Sequence, residues 1–92
     1  MAGIEALHTV EQADAVRSIT IAVNAQPVVF HQHQATGADI KAIAIVQGVA
    51  IQQDFVLFEV QGHGHLKPVG DEEVITLHEH AQFRAVAPDD NS

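Results

Sequence analysis

Residues 19–30 read ITIAVNAQPVVF, and this stretch decides the fold. Ile19, Ile21 and Val23 alternate with Thr, Ala and Asn, which is the period of two expected for a strand with one buried face. The Asn-Ala-Gln-Pro segment within the stretch supplies turn chemistry, because Asn tolerates the left-handed region and Pro fixes its own φ. The sequence therefore predicts an antiparallel hairpin whose second strand covers residues 28–33.

A helix is predicted directly after the hairpin. Thr36 can cap the free amide groups of a first turn, and Asp39 lies near the positive end of the helix dipole. Apolar residues then recur at helical spacing until Gly48, which suits the left-handed residue that ends a helix. The pattern predicts one helix of about ten to twelve residues.

Three more segments are rich in strand-forming residues, and they cover residues 55–60, 66–69 and 83–86. Asp71-Glu72-Glu73 indicates the start of a further helix or turn. The order hairpin, helix, strand, short strand and final strand is that of an α+β β-grasp domain, in which a mixed sheet wraps around one helix.

The chain divides into three predicted parts. Residues 1–17 form a flexible N-terminal arm, residues 18–87 form the β-grasp domain, and residues 88–92 form a polar C-terminal tail that cannot pack.

Composition excludes several classes of function. The chain carries 4 Lys and Arg against 12 Asp and Glu, a formal net charge of -8, which argues against binding a nucleic-acid backbone. Cysteine is absent, so disulfides, thiolate metal sites and cysteine nucleophiles are excluded for this chain. No apolar run reaches membrane-spanning length and the start is not that of a signal peptide, so we expect a cytoplasmic protein without membrane contact.

The predicted elements, taken together, resemble the bacterial multiubiquitin or ubiquitin-like family over about residues 18–87. The segments that carry the resemblance are residues 19–24, 36–40, 55–58 and 72–77 with 83–84. Each segment is a weak motif, and their joint order makes the resemblance.

This resemblance implies a protein modifier that is not an enzyme and needs no cofactor. Its implied partners are E1-like and E2-like enzymes, a deubiquitinase-like metallopeptidase and target proteins, in a bacterial conjugation pathway with a role in antiphage defence. The C-terminal carboxylate would be activated and joined to a target.

The C-terminal tail departs from the Gly-Gly that ubiquitin-like proteins usually present. It reads Asp89-Asp90-Asn91-Ser92, so we expect a peptidase to remove Ser92 and leave Asn91 as the activated residue. The alternative is that the protein is never conjugated.

The third strand carries a predicted partner-docking surface. Glu59 prefers water, so we expect Phe55 and Leu57 to share the outer face with it while Val56 and Phe58 point at the helix. The opposite assignment would bury Phe55 and Leu57. An exposed Phe and Leu on a strand resemble the hydrophobic patch that ubiquitin presents to its partners.

The N-terminal arm provides a second candidate interface. Ile4, Leu7 and Val10 could anchor it on the outer face of a neighbouring copy, and such head-to-tail exchange would build homo-oligomers. A self-assembling β-grasp scaffold that is never conjugated is therefore the alternative function.

Two other residue types are singled out. Lys41, on the helix, and Lys67, on the short strand, are the lysines available as acceptors for chain building.

The histidines form three pairs spaced by one residue: His31 and His33, His63 and His65, His78 and His80. Such pairs can clamp a metal ion, so a histidine-rich metal-binding module is the third hypothesis. We predict no metal site, because nothing fixes a third ligand.

Overall fold

The computed structural model describes residues 18–88, which form two sheets and one α-helix. The elements in chain order are β1 (Ile19–Val23), β2 (Gln26–Phe30), β3 (Gln34–Thr36), α1 (Gly37–Val46), β4 (Val56–Val60), a 3-10 turn (Gly62–Gly64), β5 (Leu66–Val69), β6 (Val74–Thr76) and β7 (Gln82–Val86). The predicted N-terminal arm and residues 89–92 of the tail lie outside the described residues.

Five strands form a mixed sheet in the order β2-β1-β7-β4-β5. β1 and β7 pair in parallel at its centre, and the other neighbours pair antiparallel. The helix covers one face of this sheet, so the predicted α+β β-grasp arrangement is confirmed.

Local chemistry sets the hairpin. Asn24 and Ala25 have φ values of 54° and 68°, the two left-handed residues that a two-residue type I′ turn requires. The Asn24 side chain then extends the pairing of β1 with β7: its Nδ2 donates to the Ala85 carbonyl at 3.0 Å, and its Oδ1 accepts from the Ala85 N–H at 2.8 Å. The turn residue thereby fastens the hairpin to the C-terminal strand.

The hydrophobic core lies between the helix and the inner face of the sheet. Its largest fully buried side chains are Phe30, Ile21, Ile40, Leu57, Val23 and Val28. Burial alternates along β1, β2 and β7, as expected for strands with one buried face.

The predicted helix start is confirmed. Thr36 is the N-cap, and its Oγ1 accepts from the Asp39 N–H at 3.1 Å while the Asp39 carboxylate accepts from the Thr36 N–H at 3.3 Å. This reciprocal pair is a capping box. The helix ends at Val46, and Gly48 has the left-handed φ of 100° expected there.

The start of α1 docks on the loop after β5. The N–H groups of Gly37 and Ala38 donate to the carbonyls of Glu73 and Asp71, at 3.2 and 3.1 Å. A Cβ at Gly37 would overlap the carbonyl oxygen of Gly70. Glycine is therefore required at this crossing, because the two backbones approach too closely for a side chain.

One predicted boundary is wrong, because β2 ends at Phe30 instead of residue 33. Of the helix or turn predicted to start at Asp71, the structure has the turn, at residues 71–72, and the chain then continues as β6. The reason is long-range pairing: β3 and β6 form a two-stranded sheet, and the Leu77 N–H donates to the His33 carbonyl at 2.8 Å. Strand segments of three residues are too short for periodicity to identify.

Replacing Ala25 by Gly tests the strain in the hairpin turn. A left-handed Ala costs about 1–2 kcal/mol, part of which is offset by the greater freedom of Gly in the unfolded chain, so we expect Ala25→Gly to raise the free energy of unfolding by about 0.5–1 kcal/mol. The matched control is Ala42→Gly at an exposed helical position, which should lose about 1 kcal/mol. Urea unfolding measures both, and a loss of stability at both positions would contradict the turn assignment.

Candidate functional site

The two faces of β4 are opposite to those predicted. Leu57 is 1% exposed and points at the helix, where its partners in the neighbouring strands, Ala85 and Val69, are also buried. Phe55 precedes the strand and packs half-buried against the core. The prediction that Phe55 and Leu57 form the exposed docking surface is therefore wrong.

Glu59 misled the assignment for a physical reason. It shares the inner face with Leu57 by strand alternation. It lies near the end of β4 and is only half-buried. A carboxylate at such a position keeps contact with water, so its preference for water does not determine the face of the whole strand.

The outer face of β4, β5 and β7 instead forms an apolar surface, which we call the outer patch. Its members are Val56, Phe58, Val60, Leu66, Val86 and Arg84, which are brought together by strand register. Phe58 lies at its centre, opposite Arg84 on one side and Pro68 on the other. Val56, Leu66 and Val86 are 41%, 39% and 44% exposed, so three of the large hydrophobic residues that meet solvent share one surface. Contiguous exposed apolar surface is typical of an interaction site.

Arg84 gives the outer patch a positive charge in a strongly acidic protein. Among residues 18–88, the ion pairs are those of Lys41 with Asp71 and Lys67 with Glu73, and neither involves Arg84. Its side chain borders an open depression of about 280 Å³ beside Val60 and Gln82. A surface of this kind suits an apolar partner segment that carries a carboxylate.

Both edges of the large sheet are interrupted where another strand would pair. On β2 the outward N–H and carbonyl of Val29 both bond to the side-chain amide of Gln47, at 2.9 and 2.8 Å. Pro27, two residues earlier, faces the same way and has no N–H. On β5 the outward backbone positions are Leu66 and Pro68, because the bond from the Gln61 N–H to the His65 carbonyl fixes the alternation of the hairpin, and Pro68 has no N–H to offer another strand. The open face is therefore the better docking surface than either edge.

The two predicted acceptor lysines differ in accessibility. Lys41 is buried at 3% exposure; its Nζ lies 2.8 Å from Asp71 Oδ1 and donates to the Phe55 carbonyl at 2.7 Å. The prediction that Lys41 is an acceptor is wrong for the folded protein, because its ammonium group is enclosed. Lys67 is half exposed, and its Nζ lies 3.3 Å from Glu73 Oε2.

Glu73 links this exposed ion pair to the helix start. Its Oε1 accepts from the Gly70 N–H at 3.2 Å, and its carbonyl accepts from the Gly37 N–H. The Gly70 hydrogen bond, together with the Lys67 ammonium, holds the pKa of the Glu73 carboxyl below its ordinary value.

The histidine pairs lie around one end of the large sheet, where β1 and β7 begin and β2 and β4 end. All six side chains are exposed. Across residues 18–88, no three histidine, aspartate or glutamate side chains are grouped so as to hold a metal ion. The metal-binding hypothesis therefore has no ligand set in this part of the chain.

The remaining predicted site residues cannot be placed. Ile4, Leu7 and Val10 of the arm, and Asn91 and Ser92 of the tail, lie outside the described residues. β7 ends at Val86, a member of the outer patch, so the patch adjoins the point where the chain leads into the tail.

Sequence reasoning missed Phe58, Arg84 and Val86, although a signal was present. In Phe83-Arg84-Ala85-Val86 the charged residue lies in the middle of its strand, unlike Glu59, which lies near a strand end, so Arg84 indicates the outward face and alternation places Val86 there too.

A mixed five-stranded sheet around one helix, with an apolar outer face and a C-terminal strand at its centre, defines a ubiquitin-like protein. The sequence model of the multiubiquitin family matches residues 19–89, and the chain therefore belongs to that family. The expected resemblance to the multiubiquitin family is confirmed. Comparison with curated proteins and with solved structures gave no significant match.

Within residues 18–88, the one α-helix is too short to cross a bilayer.

Replacing Glu73 by Gln tests the charge at the helix start. A carboxyl whose pKa is lowered by folding stabilises the protein above its unfolded pKa, and this contribution is lost as the pH falls through the folded pKa. We therefore expect wild type to be more stable than Glu73→Gln at pH 7, with the difference shrinking below the ordinary value of 4.5.

Urea unfolding between pH 7 and pH 3 measures this difference, with the neighbouring Glu72→Gln as the control. A difference between wild type and Glu73→Gln that is independent of pH would contradict the electrostatic origin.

Proposed function

We propose that this protein is a ubiquitin-like modifier of a bacterial conjugation pathway. Membership of the multiubiquitin family is the observation that carries the proposal. Its chemistry takes place at the C-terminal carboxylate, which an E1-like enzyme adenylates with release of pyrophosphate. An enzyme thiol then displaces AMP, and a nucleophile on a target displaces the thiol after transfer to an E2-like enzyme. The modifier itself contributes a recognition surface and a reactive end, and acts in the cytoplasm without a cofactor.

The tail supports activation after trimming. Residues 89–92 are polar, small or acidic, and a metallopeptidase that removes Ser92 leaves Asn91 as the terminal residue. A tail without bulky side chains suits a narrow active site that must bring the carboxylate to a nucleotide. Defence against phage is the role that the family resemblance suggests for such a pathway.

The outer patch is the docking surface for the conjugation enzymes in this proposal. Phe58 and Val56 supply apolar area, and Arg84 favours a partner with a carboxylate at the matching position. Because Val86 belongs both to the patch and to the strand that enters the tail, an enzyme bound there is close to the reactive end.

A self-assembling scaffold is the second candidate, and the same exposed patch favours it. The N-terminal arm combines apolar residues with Glu5 and Glu11, which suits a surface centred on Arg84. In this case the patch binds the arm of a neighbouring copy, giving a homo-oligomer, and the tail is never activated.

Replacing Val56 by Asp tests the docking surface. A carboxylate in the apolar patch should weaken binding to the E1-like enzyme about tenfold or more, because truncating or charging a buried interface anchor costs over 1 kcal/mol. The control is Val74→Asp on β6 of the small sheet, an apolar position that is 58% exposed against 41% for Val56. Calorimetric titration of the enzyme with both variants measures the two affinities. Equal losses of affinity would argue against the outer patch as the docking surface.

Intact mass tests the function itself. The protein is mixed with the E1-like, E2-like and metallopeptidase products of its neighbouring genes, ATP and magnesium. We expect loss of Ser92, followed by a covalent adduct to enzyme or target. An unchanged mass with enzymes that are active on a control substrate would favour the self-assembling scaffold.

A further inference from the structure

The titratable side chains of the domain are segregated between its two ends. Six of the seven histidines in the chain lie at the end of the large sheet where β2 and β4 end and β7 begins, and all six are exposed. They belong to the three loops that follow β2, β4 and β6. We call this surface the histidine end, and its members are His31, His33, His63, His65, His78 and His80.

The opposite end of the domain is acidic. Asp54 lies just before β4 begins, and the turn after β5 adds a run of three acids. The first turn of α1, which contains Asp39, docks on that turn because the Ala38 N–H donates to the Asp71 carbonyl at 3.1 Å. We call this surface the acidic end, and its members, all exposed, are Asp39, Asp54, Asp71, Glu72 and Glu73.

Two of the acidic side chains are available to a partner. Asp71 and Glu73 pair with lysines, and the Asp39 carboxylate caps the helix. Among residues 18–88, Asp54 and Glu72 form no ion pair, and both are exposed. Because carboxylates are ionised above about pH 5, the acidic end keeps its negative charge from there upward.

The histidine end changes its charge with pH. Histidine is the side chain that gains a proton between about pH 8 and pH 5. The other charged groups that the described residues place at this end are Glu59, Glu79 and Lys67. Glu79 accepts from the Thr20 N–H at 3.2 Å, and the Lys67 ammonium lies beside Glu73. Six protonated histidines against two carboxylates make this end positive.

We propose that the protein associates end to end at mildly acidic pH, with the protonated histidine end of one copy on the acidic end of the next. Opposite charges favour this orientation. Protonation of all seven histidines also brings the formal net charge from -8 to -1, which removes most of the repulsion between copies. The two surfaces lie at opposite ends of the domain, so the contact is heterologous and the assembly grows as a chain. This association requires no conjugation enzyme and is independent of the proposed function.

Sedimentation of the full chain tests the association. Exposed ion pairs are individually weak, so we expect a dissociation constant on the order of 1 mM. At pH 8 the protein should be a monomer. At about pH 6 and about 0.02 M salt, the weight-average mass should roughly double at about 1 mM protein, and about 0.3 M salt should restore the monomer. A mass that does not depend on pH, or an association that persists at the higher salt concentration, would overturn the proposal.

Two charge-matched variants separate the orientation of the contact from a general loss of net charge. Asp54→Asn with Glu72→Gln removes two negative charges from the acidic end, whereas Glu59→Gln with Glu79→Gln removes two from the histidine end. We expect the first variant to lose the association at about pH 6 and the second to keep or strengthen it. If net charge alone drives association, both variants change in the same direction, and that result would overturn the proposal.

A mixing experiment tests the head-to-tail contact. A third variant has Gln at one histidine of each loop and keeps its acidic end: His31→Gln, His65→Gln and His78→Gln. Alone, this variant and the acidic-end variant should each stay monomeric. Their mixture should form a 1:1 dimer that cannot grow, because only one pair of complementary ends remains. A mixture that stays monomeric, or a single variant that associates as wild type does, would contradict the head-to-tail contact.

Discussion

The parallel pairing of β1 with β7 is the contact on which the rest of the structure depends. It joins residues at the two ends of the domain, with Ala22 beside Gln82 and Val23 beside Phe83. The regular pairing is short, and it is extended by the amide of Asn24, which forms both hydrogen bonds to the Ala85 backbone. Without it the N-terminal hairpin and the strands β4, β7 and β5 would be two separate ribbons, neither of which is wide enough to cover a helix.

Once the two ribbons are joined, the helix crosses the inner face of the sheet, and contacts at both of its ends hold it there. At its start, Gly37 lies against the Gly70 carbonyl and Lys41 reaches Asp71, so the loop after β5 is tied to the helix. At its end, Gln47 bonds to Val29 on the edge strand β2. The helix thus fastens both edges of the sheet, and the face it does not cover is left as the outer patch.

The sequence was sufficient to predict those elements that are determined by local chemistry. The alternation from Ile19 to Val23, the capping box at Thr36 and the glycine at residue 48 predicted the hairpin and both ends of the helix correctly. Contacts between distant segments were not predictable in this way. The small sheet of β3 and β6 joins segments about forty residues apart, and neither is long enough to show a period.

The candidate site was predicted less well than the fold for a related reason. The face of β4 depends on its register with β7, and a strand such as FVLFEV is apolar on both sides, so its own sequence fits either orientation. Likewise, Lys41 and Lys67 cannot be distinguished as residues. Their difference arises from the loop at Asp71, which closes over one lysine and leaves the other at the sheet edge.

In the proposed function, the location of β7 would bring the recognition surface close to the reactive end of the chain. Arg84 and Val86 alternate outward on β7 while Phe83 and Ala85 enter the core, so one strand contributes to the patch, the core and the path to the tail. From Val86 to Asn91 the chain has five residues, which span at most about 18 Å when extended. An enzyme bound at the outer patch would therefore find the proposed reactive carboxylate within that radius.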